Sequence, residues 1–367
     1  MAARRIIVFG ATGFTGRLVA ERLAAQGAAP VLAGRSEASV RELAERLGVE
    51  WRVADALRQN SVFALLESSR DVLVSTVGPF SKWGEPALRA AIAAGGTYID
   101  SAGEPVFIRR VFEEFGPPAE RAGAALLPAM GYDFVPGALA GALALEEAGL
   151  DAQRVDIGYY AFGAGSSAGT RRSSVAATLD EGYAFRGGAV QTVRMAERLR
   201  SFAVRGKDRD AVSIGGTEHL TLPASYPHLL EVNVYLGWFG PLAKPLQVGS
   251  LAGSVAMRVP GVRPAFKAAA DRLVGLASAP EPESGTSWIV AEAFDAAGEK
   301  LAQVELSGGE PYTLTAGILA WAARRAASDG VNGTGALGPV QAFGLEALEA
   351  GCREAGLERV TNVNGAG

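Results

Sequence analysis

The 367-residue sequence predicts an α/β protein with a doubly wound parallel sheet first and a second, mixed α/β domain after it. Two observations predict this. In the first part of the chain, short β-branched runs alternate with amphipathic segments across short connections, which is typical of parallel strands joined by helices. From about Arg154, runs of alternating polar and apolar residues indicate strands with one wetter face. We therefore predict domains over 1–137 and 150–310, and a C-terminal helical segment over 311–367 that packs back on the first domain.

The individual elements follow from apolar periodicity and from glycine and proline positions. In the first domain, strands are predicted at 5–9, 30–34, 51–55, 71–77, 97–101 and 124–130, with helices at 17–27, 59–68, 85–95, 105–122 and 138–148. In the second domain, strands are predicted at 154–160, 230–236, 287–294 and 300–306, the last two joined by a hairpin at 295–298, and helices follow at 311–327 and 339–355.

The turn after the first predicted strand reads Gly10-Ala-Thr-Gly-Phe-Thr-Gly16 and leads directly into an amphipathic segment. Gly10 permits a sharp turn, Gly13 lets main-chain amides approach a pyrophosphate, and Gly16 lets the helix pack closely on the sheet. The N-terminus of that helix favours phosphate charge. The pattern also fits an ordinary strand-to-helix turn, but its place in the chain favours a dinucleotide-binding loop of the Rossmann type. Its remaining predicted contact residues are Thr12, Phe14 and Thr15.

The end of the second predicted strand indicates which dinucleotide is bound. An NAD-preferring site usually has a carboxylate here to accept from the ribose 2′-hydroxyl. This chain has Arg35 and Ser36 instead, and a guanidinium suits a 2′-phosphate. We therefore predict NADP(H), although Ser36 could serve only to cap the next helix. Asp55, at the end of the third strand, either meets the adenine edge or caps the following helix.

Composition excludes several classes of function. A net charge of −4 gives no global attraction to nucleic acid or anionic membrane. A single cysteine, Cys352, and two histidines, His219 and His228, provide neither a disulfide framework nor a metal cluster. We place Cys352 on a late helix as a buried small hydrophobe, and both histidines in or near strands. The absence of a signal-peptide pattern and of long apolar runs predicts a cytoplasmic protein.

Several separated motifs resemble the saccharopine dehydrogenase-like oxidoreductases, and most closely their bacterial branch that includes trans-acting enoyl reductases. The motifs are Gly10–Gly16 with Ala33-Gly-Arg-Ser36, Val77-Gly-Pro-Phe80 with Gly84, Gly96-Thr-Tyr-Ile-Asp100 with Ala102-Gly-Glu104, and Gly131-Tyr-Asp-Phe-Val-Pro136. The C-terminal Tyr312-Thr-Leu-Thr315 and Gly335-Ala-Leu-Gly-Pro339 are similar to the family's closing pattern. The resemblance implies an NADP-binding Rossmann domain followed by a mixed α/β domain, and it leaves the substrate open.

In open α/β sheets, ligands lie beyond the carboxyl ends of the strands. Thr76, Val77 and Gly78 follow the fourth strand and are predicted to contact the dinucleotide, or simply to form a turn. Asp100 and Glu104 follow the fifth strand; we include Glu104 among the substrate-binding residues, while both carboxylates could serve only as helix caps.

Tyr132 and Asp133, after the sixth strand, are the predicted catalytic residues. Reducing a double bond requires a proton and stabilisation of developing negative charge, and a tyrosine hydroxyl can supply both, with an adjacent carboxylate holding it or relaying a proton. The alternative is a packed aromatic ring followed by a helix cap. The resemblance implies that the second-domain loop with Thr170 and Arg171 helps to shape the substrate pocket, with Thr170 capping a helix and Arg171 available to neutralise a carboxylate or phosphate. The alternative is an ordinary surface arginine.

The first functional hypothesis is NADPH-dependent reduction of an enoyl or similarly activated double bond in an apolar substrate, either a small molecule or carrier-bound. The alternatives are a saccharopine-type imine reductase acting on amino and keto acids, and a non-catalytic NADPH-binding scaffold. Residues 241–279 are interpreted as two short helices covering a cavity, in preference to a peripheral membrane contact. A homo-oligomer is compatible with the sequence.

Overall fold

The computed structural model of the chain describes residues 4–163, 182–238, 240, 243–245, 247, 248, 250 and 285–360. Two β-sheets organise these residues, with helices packed on and between them. The predicted α/β class is confirmed, because the first sheet is parallel and of the Rossmann type while the second is mixed.

The first sheet has seven parallel strands among the described residues, in the order β15-β6-β5-β4-β1-β2-β3. Its strands are β1 (Ile6–Phe9), β2 (Val31–Gly34), β3 (Trp51–Val53), β4 (Val72–Ser75), β5 (Thr97–Asp100), β6 (Ala125–Leu127) and β15 (Gly335–Ala336). Strands β1, β2 and β4 are buried along their whole length, which explains their continuous apolar runs. The strand order reverses between β1 and β4, which is where such sheets bind ligands.

Helices cover both faces of this sheet. They are α1 (Phe14–Ala25), α2 (Glu37–Leu47), α3 (Gln59–Phe63), α4 (Phe80–Trp83), α5 (Glu85–Ala94), α6 (Pro105–Arg110) and α7 (Gly116–Ala122). The single helix predicted over 105–122 is interrupted by a π-helical turn, Val111–Phe115, between α6 and α7. Two prolines directly follow Gly116 and cannot donate main-chain hydrogen bonds, which accounts for the interruption.

The second sheet has nine strands among the described residues. They are β7 (Arg154–Phe162), β8 (Gly182–Arg186), β9 (Ala189–Val193), β10 (Leu199–Val204), β11 (Lys207–Ile214), β12 (Glu231–Leu236), β13 (Thr286–Phe294), β14 (Lys300–Gly308) and β16 (Leu357–Arg359). The main order is β10-β11-β12-β7-β13-β14-β16, and β8 pairs with β12 and β9. The predicted hairpin is present: β13 and β14 pair antiparallel across residues 295–299.

A central helix, α8 (Val135–Ala148), packs against the second sheet and is buried from Val135 to Leu145. It is apolar on every side, as expected for a helix enclosed by protein. Its small residues permit close packing, since a Cβ at Gly141 would come within 2.9 Å of Ile157.

The C-terminal part contains α10 (Pro311–Ser328), α11 (Pro339–Phe343) and α12 (Leu345–Ala355), while the second-domain helix α9 is Glu218–Ser225. Helix α10 packs on α1, and the rings of Tyr312 and Phe14 meet edge to face at 5.1 Å. The continuous helix predicted over 339–355 is wrong: Gly344 has a φ of +79°, and this left-handed residue separates α11 from α12.

His219 lies in helix α9 rather than in or near a strand, because the Gly215-Gly216 pair ends β11 and begins a new helix. Cys352 is fully buried on α12, as predicted, and burial raises the pKa of its thiol to about 12. No helix within the described part of the chain is both long and apolar enough to cross a membrane.

Candidate cofactor and active site

The turn between β1 and α1 has the geometry of a dinucleotide-binding loop. Gly10 has a φ of +88°, a conformation that L side chains rarely adopt. A Cβ at Gly16 would lie 2.2 Å from the Gly10 carbonyl oxygen and 2.7 Å from Thr76 Oγ1. Only glycine fits there, because the first turn of α1 lies directly against the strand ends.

The N-terminus of α1 offers free main-chain donors. Gly13 is the N-cap residue, no side chain caps the helix, and the first turn contains no acidic residue. Because the first amides of a helix have no partners within it, these groups can bind an anion, and the helix dipole favours one. Thr12 and Gly13 are exposed, while Phe14 and Thr15 are half-buried. The loop therefore fits a pyrophosphate group.

Arg35 lies at the carboxyl end of β2, where the ribose of a bound dinucleotide is expected. Its side chain is exposed and has no ion-pair or hydrogen-bond partner among the described residues. Thr12 lies close by, since a Cβ at Gly34 would be 3.5 Å from Thr12 Oγ1. Ser36 caps α2 by accepting from the Ser39 amide at 3.4 Å. The guanidinium is thus free to meet a ligand, while the Ser36 hydroxyl also has a structural role.

Asp55 stabilises the turn after β3. Its Oδ1 accepts from the Leu57 amide at 3.0 Å, and Arg58 Nε lies 4.0 Å from its Oδ2. The carboxylate therefore binds the main chain two residues further along. It does not cap α3, which begins at Gln59. This contact leaves Asp55 at the sheet edge but gives it a local structural role.

The segment after β4 approaches the glycine turn directly. Thr76 Oγ1 lies 3.2 Å from the carbonyl oxygens of both Phe9 and Gly10 and donates to them. A Cβ at Gly10 would meet Val77 Cγ2 at 2.9 Å. Thr76 and Val77 thus form one wall of the turn, and Gly78 follows at the switch point between β1 and β4.

Glu104 and Asp100 hold the loops at this edge together. Both oxygens of the buried Glu104 carboxylate accept main-chain amides, from Phe80 at 2.7 Å and from Ser81 at 2.8 Å. Glu104 thus caps α4, which is the structural role given above as the alternative to a substrate contact.

Asp100 joins the end of β5 to the loop after β6. It accepts from Tyr98 Oη and from the amides of Ala102 and Ala129, all within 2.8 Å. Burial raises the pKa of its carboxyl to about 6. The turn that carries Tyr132 and Asp133 therefore starts from a loop anchored by a buried carboxylate.

Tyr132 is buried between helix α10 and strand β7 of the second sheet. Its hydroxyl donates to the Tyr160 carbonyl oxygen at 2.9 Å, and its amide donates to Thr315 Oγ1 at 3.0 Å. Burial, together with the nearby Asp133, raises the pKa of this phenol strongly. Its ring stacks on Trp238 at 6.1 Å. Because its proton is used within the fold, Tyr132 is poorly suited to donate one to a substrate.

Asp133, unlike Glu104 and Asp100, has a carboxylate that is available to contact a ligand. It is half-buried and has no hydrogen-bond or ion-pair partner among the described residues. It does not cap α8, whose N-cap residue is Phe134. Its Oδ2 lies 3.3 Å from where a Cβ of Gly103 would be, and burial raises the pKa of its carboxyl to about 6. An unpaired carboxyl with a pKa near neutrality can act as a general acid or base.

A further buried carboxyl, missed from the sequence, lies behind this turn. Glu218 is the first residue of α9 and is fully buried. Its Oε1 lies 2.6 Å from Tyr159 Oη, and that hydroxyl also accepts from the Gly137 amide at 2.7 Å. A glutamate in the first turn of a helix looks like routine capping, so the sequence carried no signal for this contact.

The remaining predicted site residues fall elsewhere. Thr170 and Arg171, and most of the 241–279 stretch, lie outside the described residues. His219 is buried against Tyr183, and burial lowers the pKa of its imidazole to about 4. Among the described residues, no group of three or more potential ligands could hold a metal ion.

Comparison with known proteins agrees with this geometry. Residues 10–98 match a family model for NAD(P)H-binding domains. The structure superposes on apo saccharopine dehydrogenase (L-Glu forming) of Saccharomyces cerevisiae with a TM-score of 0.60 and 13% identity, over 98% of this chain and 100% of that one. The chain has a saccharopine dehydrogenase-like fold with an NAD(P)H-binding domain.

Curated proteins that are similar in sequence to this chain include enoyl reductases. A putative trans-acting enoyl reductase of Mycobacterium tuberculosis is 40% identical over 141 residues, 36% of this chain and 33% of that protein. A trans-acting enoyl reductase of Mycobacterium bovis is 36% identical over 141 residues, 36% and 34% of the two chains. A lipid droplet localized protein of Caenorhabditis elegans is 30% identical over 152 residues, 38% and 35% of the two chains. The alignments span about a third of these relatives, and they confirm the resemblance drawn from the motifs.

Proposed function

We propose that the protein is an NADPH-dependent oxidoreductase that reduces an enoyl or similarly activated double bond in a largely apolar substrate. The observation that carries this proposal is the placement of one available carboxyl, Asp133, at the sheet edge that also bears the uncapped glycine turn. Relatives named as enoyl reductases support the choice of double bond.

Different residues of the chain bind different parts of the cofactor. Amides at Phe14 to Gly16 bind the pyrophosphate, while Arg35 pairs with a 2′-phosphate and so favours NADPH over NADH. Thr76, Val77 and Gly78 line the side of the turn that faces the rest of the dinucleotide. A bound nicotinamide supplies the hydride.

Asp133 supplies the proton. Hydride addition to one carbon of the double bond leaves negative charge on the conjugated system, and the other carbon takes a proton to complete the reduction. A carboxyl with a pKa of about 6 is partly protonated near neutrality. After it donates its proton to substrate, it readily takes up another from solvent. Tyr132 stacks on the partly exposed Trp238, and an exposed aromatic surface of this kind suits an acyl chain better than a charged amino acid.

The charges around Asp133 argue against the imine-reductase alternative. A dicarboxylate substrate requires inward-facing arginines or lysines, and no such cation pairs with Asp133 among the described residues. The nearby Glu218 is a buried carboxyl and adds no positive charge either. This surrounding favours an uncharged acyl group, delivered as a small thioester or on a carrier.

The test is an assay of NADPH oxidation with α,β-unsaturated acyl thioesters of increasing chain length. The reaction is monitored through the decrease in NADPH absorbance. We expect turnover, with KM falling as the chain lengthens. Turnover only with a keto acid plus an amine would support the imine reductase. Tight NADPH binding with no turnover on either class would support the scaffold.

A further inference from the structure

The carboxyl of Glu218 is buried without a cation. It has no exposed surface, and no lysine, arginine or histidine lies within ion-pair distance of it among the described residues. Its Oε2 has no hydrogen-bond partner in the described part of the chain. An ionised carboxylate in such a place is costly unless it is paired. The surroundings therefore favour the neutral acid.

Hydrogen bonding at Tyr159 leads to the same assignment. The Tyr159 hydroxyl lies 2.7 Å from the Gly137 amide, 3.0 Å from the Phe134 carbonyl oxygen and 2.6 Å from Glu218 Oε1. The amide can only donate, the carbonyl can only accept, and a phenol has one proton. All three contacts are hydrogen bonds only when Glu218 donates to the phenol and the phenol donates to Phe134.

We propose that Glu218 is a neutral carboxylic acid at neutral pH, and that its proton makes it a positioning residue for the Asp133 turn. Through Tyr159 it fixes Phe134 and Gly137, the residues that follow Asp133 and begin α8. The positioning role rests on the proposed function of Asp133, whereas the protonation state does not.

The titratable groups around Glu218 act in the same direction. Burial, together with the nearby Asp133, raises the pKa of its carboxyl to about 8. Tyr159 from β7 and Tyr183 from β8 are its other titratable neighbours, and burial raises the pKa of both phenols. The adjacent His219 is neutral, because burial lowers the pKa of its imidazole. None of these groups supplies a positive charge that would stabilise the anion.

Infrared difference spectroscopy tests the proton directly. The spectrum of the wild type minus that of Glu218→Gln at pH 7 should show the carbonyl stretch of a protonated carboxylic acid. Tyr159→Phe should keep that band and move it to higher frequency, because the acid loses its acceptor. A difference spectrum with only carboxylate bands would overturn the proposal, and neither measurement needs substrate or cofactor.

Stability against pH gives a second test. In the unfolded chain Glu218 titrates near its ordinary pKa of about 4.3, while in the fold it keeps its proton until higher pH. The wild type should therefore lose stability relative to Glu218→Gln as pH rises from about 4.5 to 8, and no further above that. A difference that does not change with pH would contradict the assignment.

The positioning role has its own signature in the reductase assay. Glu218→Gln can still donate to Tyr159, so its kcat should stay within about threefold of the wild-type value at pH 7. Both proteins lose activity as Asp133 deprotonates, but only the wild type should show a further decline as pH rises through about 8. Glu218→Ala should lower kcat while leaving the NADPH Kd unchanged. Equal losses in both variants at every pH would overturn the positioning role. If the infrared band is present and no substrate turns over, the protonation stands and the proposed reductase function fails.

Discussion

Two strand-to-helix turns at the same sheet edge differ in how they are built. Residues 10–16 form an open turn, in which no side chain caps α1 and no acidic residue occupies its first turn. Residues 131–137 form an enclosed turn, whose main chain is bound by Thr315 and Tyr159. The open turn is a binding surface made of local backbone. The enclosed turn is a support made by distant parts of the chain, and it presents one free carboxyl.

The largest expected effect is the loss of NADPH binding when a substitution disrupts the open turn. Gly16→Ala should abolish measurable NADPH binding, because a Cβ there would lie 2.2 Å from the Gly10 carbonyl oxygen. Gly309→Ala is the control, since nothing lies within 4 Å of the Cβ it would gain. Calorimetric titration of both variants with NADPH checks this. Unchanged affinity in Gly16→Ala would mean that the nucleotide binds elsewhere.

The next largest expected effect is on the reaction rate, when the free carboxyl of the enclosed turn is removed. Asp133→Asn should lower the rate of NADPH oxidation by about 10²–10⁴-fold, the usual contribution of a general acid, with NADPH affinity unchanged. In the wild type the rate should fall as pH rises through about 6, because the protonated form of Asp133 is lost above its pKa. The exposed Asp151 supplies the control, Asp151→Asn. A variant of Asp133 with full activity would show that the proton comes from another group.

A smaller effect weakens the support of the enclosed turn. Asp100→Asn should cost about 1–3 kcal/mol in the free energy of unfolding, because a buried amide replaces an oxygen that accepts main-chain donors. Urea unfolding measures this cost, with the exposed Asp208→Asn as control. A loss no greater than in the control would show that the loop after β6 is held without Asp100.

The smallest effect concerns specificity at the open turn. Arg35→Ala should weaken NADPH binding about tenfold, or about 1.4 kcal/mol, and leave NADH nearly unchanged. Arg46→Ala, which removes an arginine of α2 that pairs with Glu21, should change neither affinity. Equal losses for both cofactors in Arg35→Ala would remove the argument for a 2′-phosphate site.

The same comparison explains what could be predicted from sequence. The open turn depends on residues within one strand-to-helix unit, so Gly10, Gly16 and Arg35 could be placed from spacing alone. The enclosed turn depends on Thr315 and Glu218, which lie 183 residues from Tyr132 and 59 residues from Tyr159 along the chain. Spacing carries no signal for such pairs.

Local patterns also left the roles of side chains open. Glu104 and Asp55 could be placed at the sheet edge, yet their partners are main-chain amides that no motif specifies. The same holds for Tyr132, whose hydroxyl is taken by a carbonyl of the second sheet. The predicted fold class follows from periodicity, whereas the assignment of the proton donor to Asp133 alone depends on tertiary contacts.

The most direct measurement of the central claim is calorimetric titration of the purified protein with NADPH and, separately, with NADH. The account predicts one binding site for NADPH, with affinity at least about tenfold higher than for NADH, as expected for a charge-assisted contact to the 2′-phosphate. Binding of neither nucleotide, or equal binding of both, would contradict it.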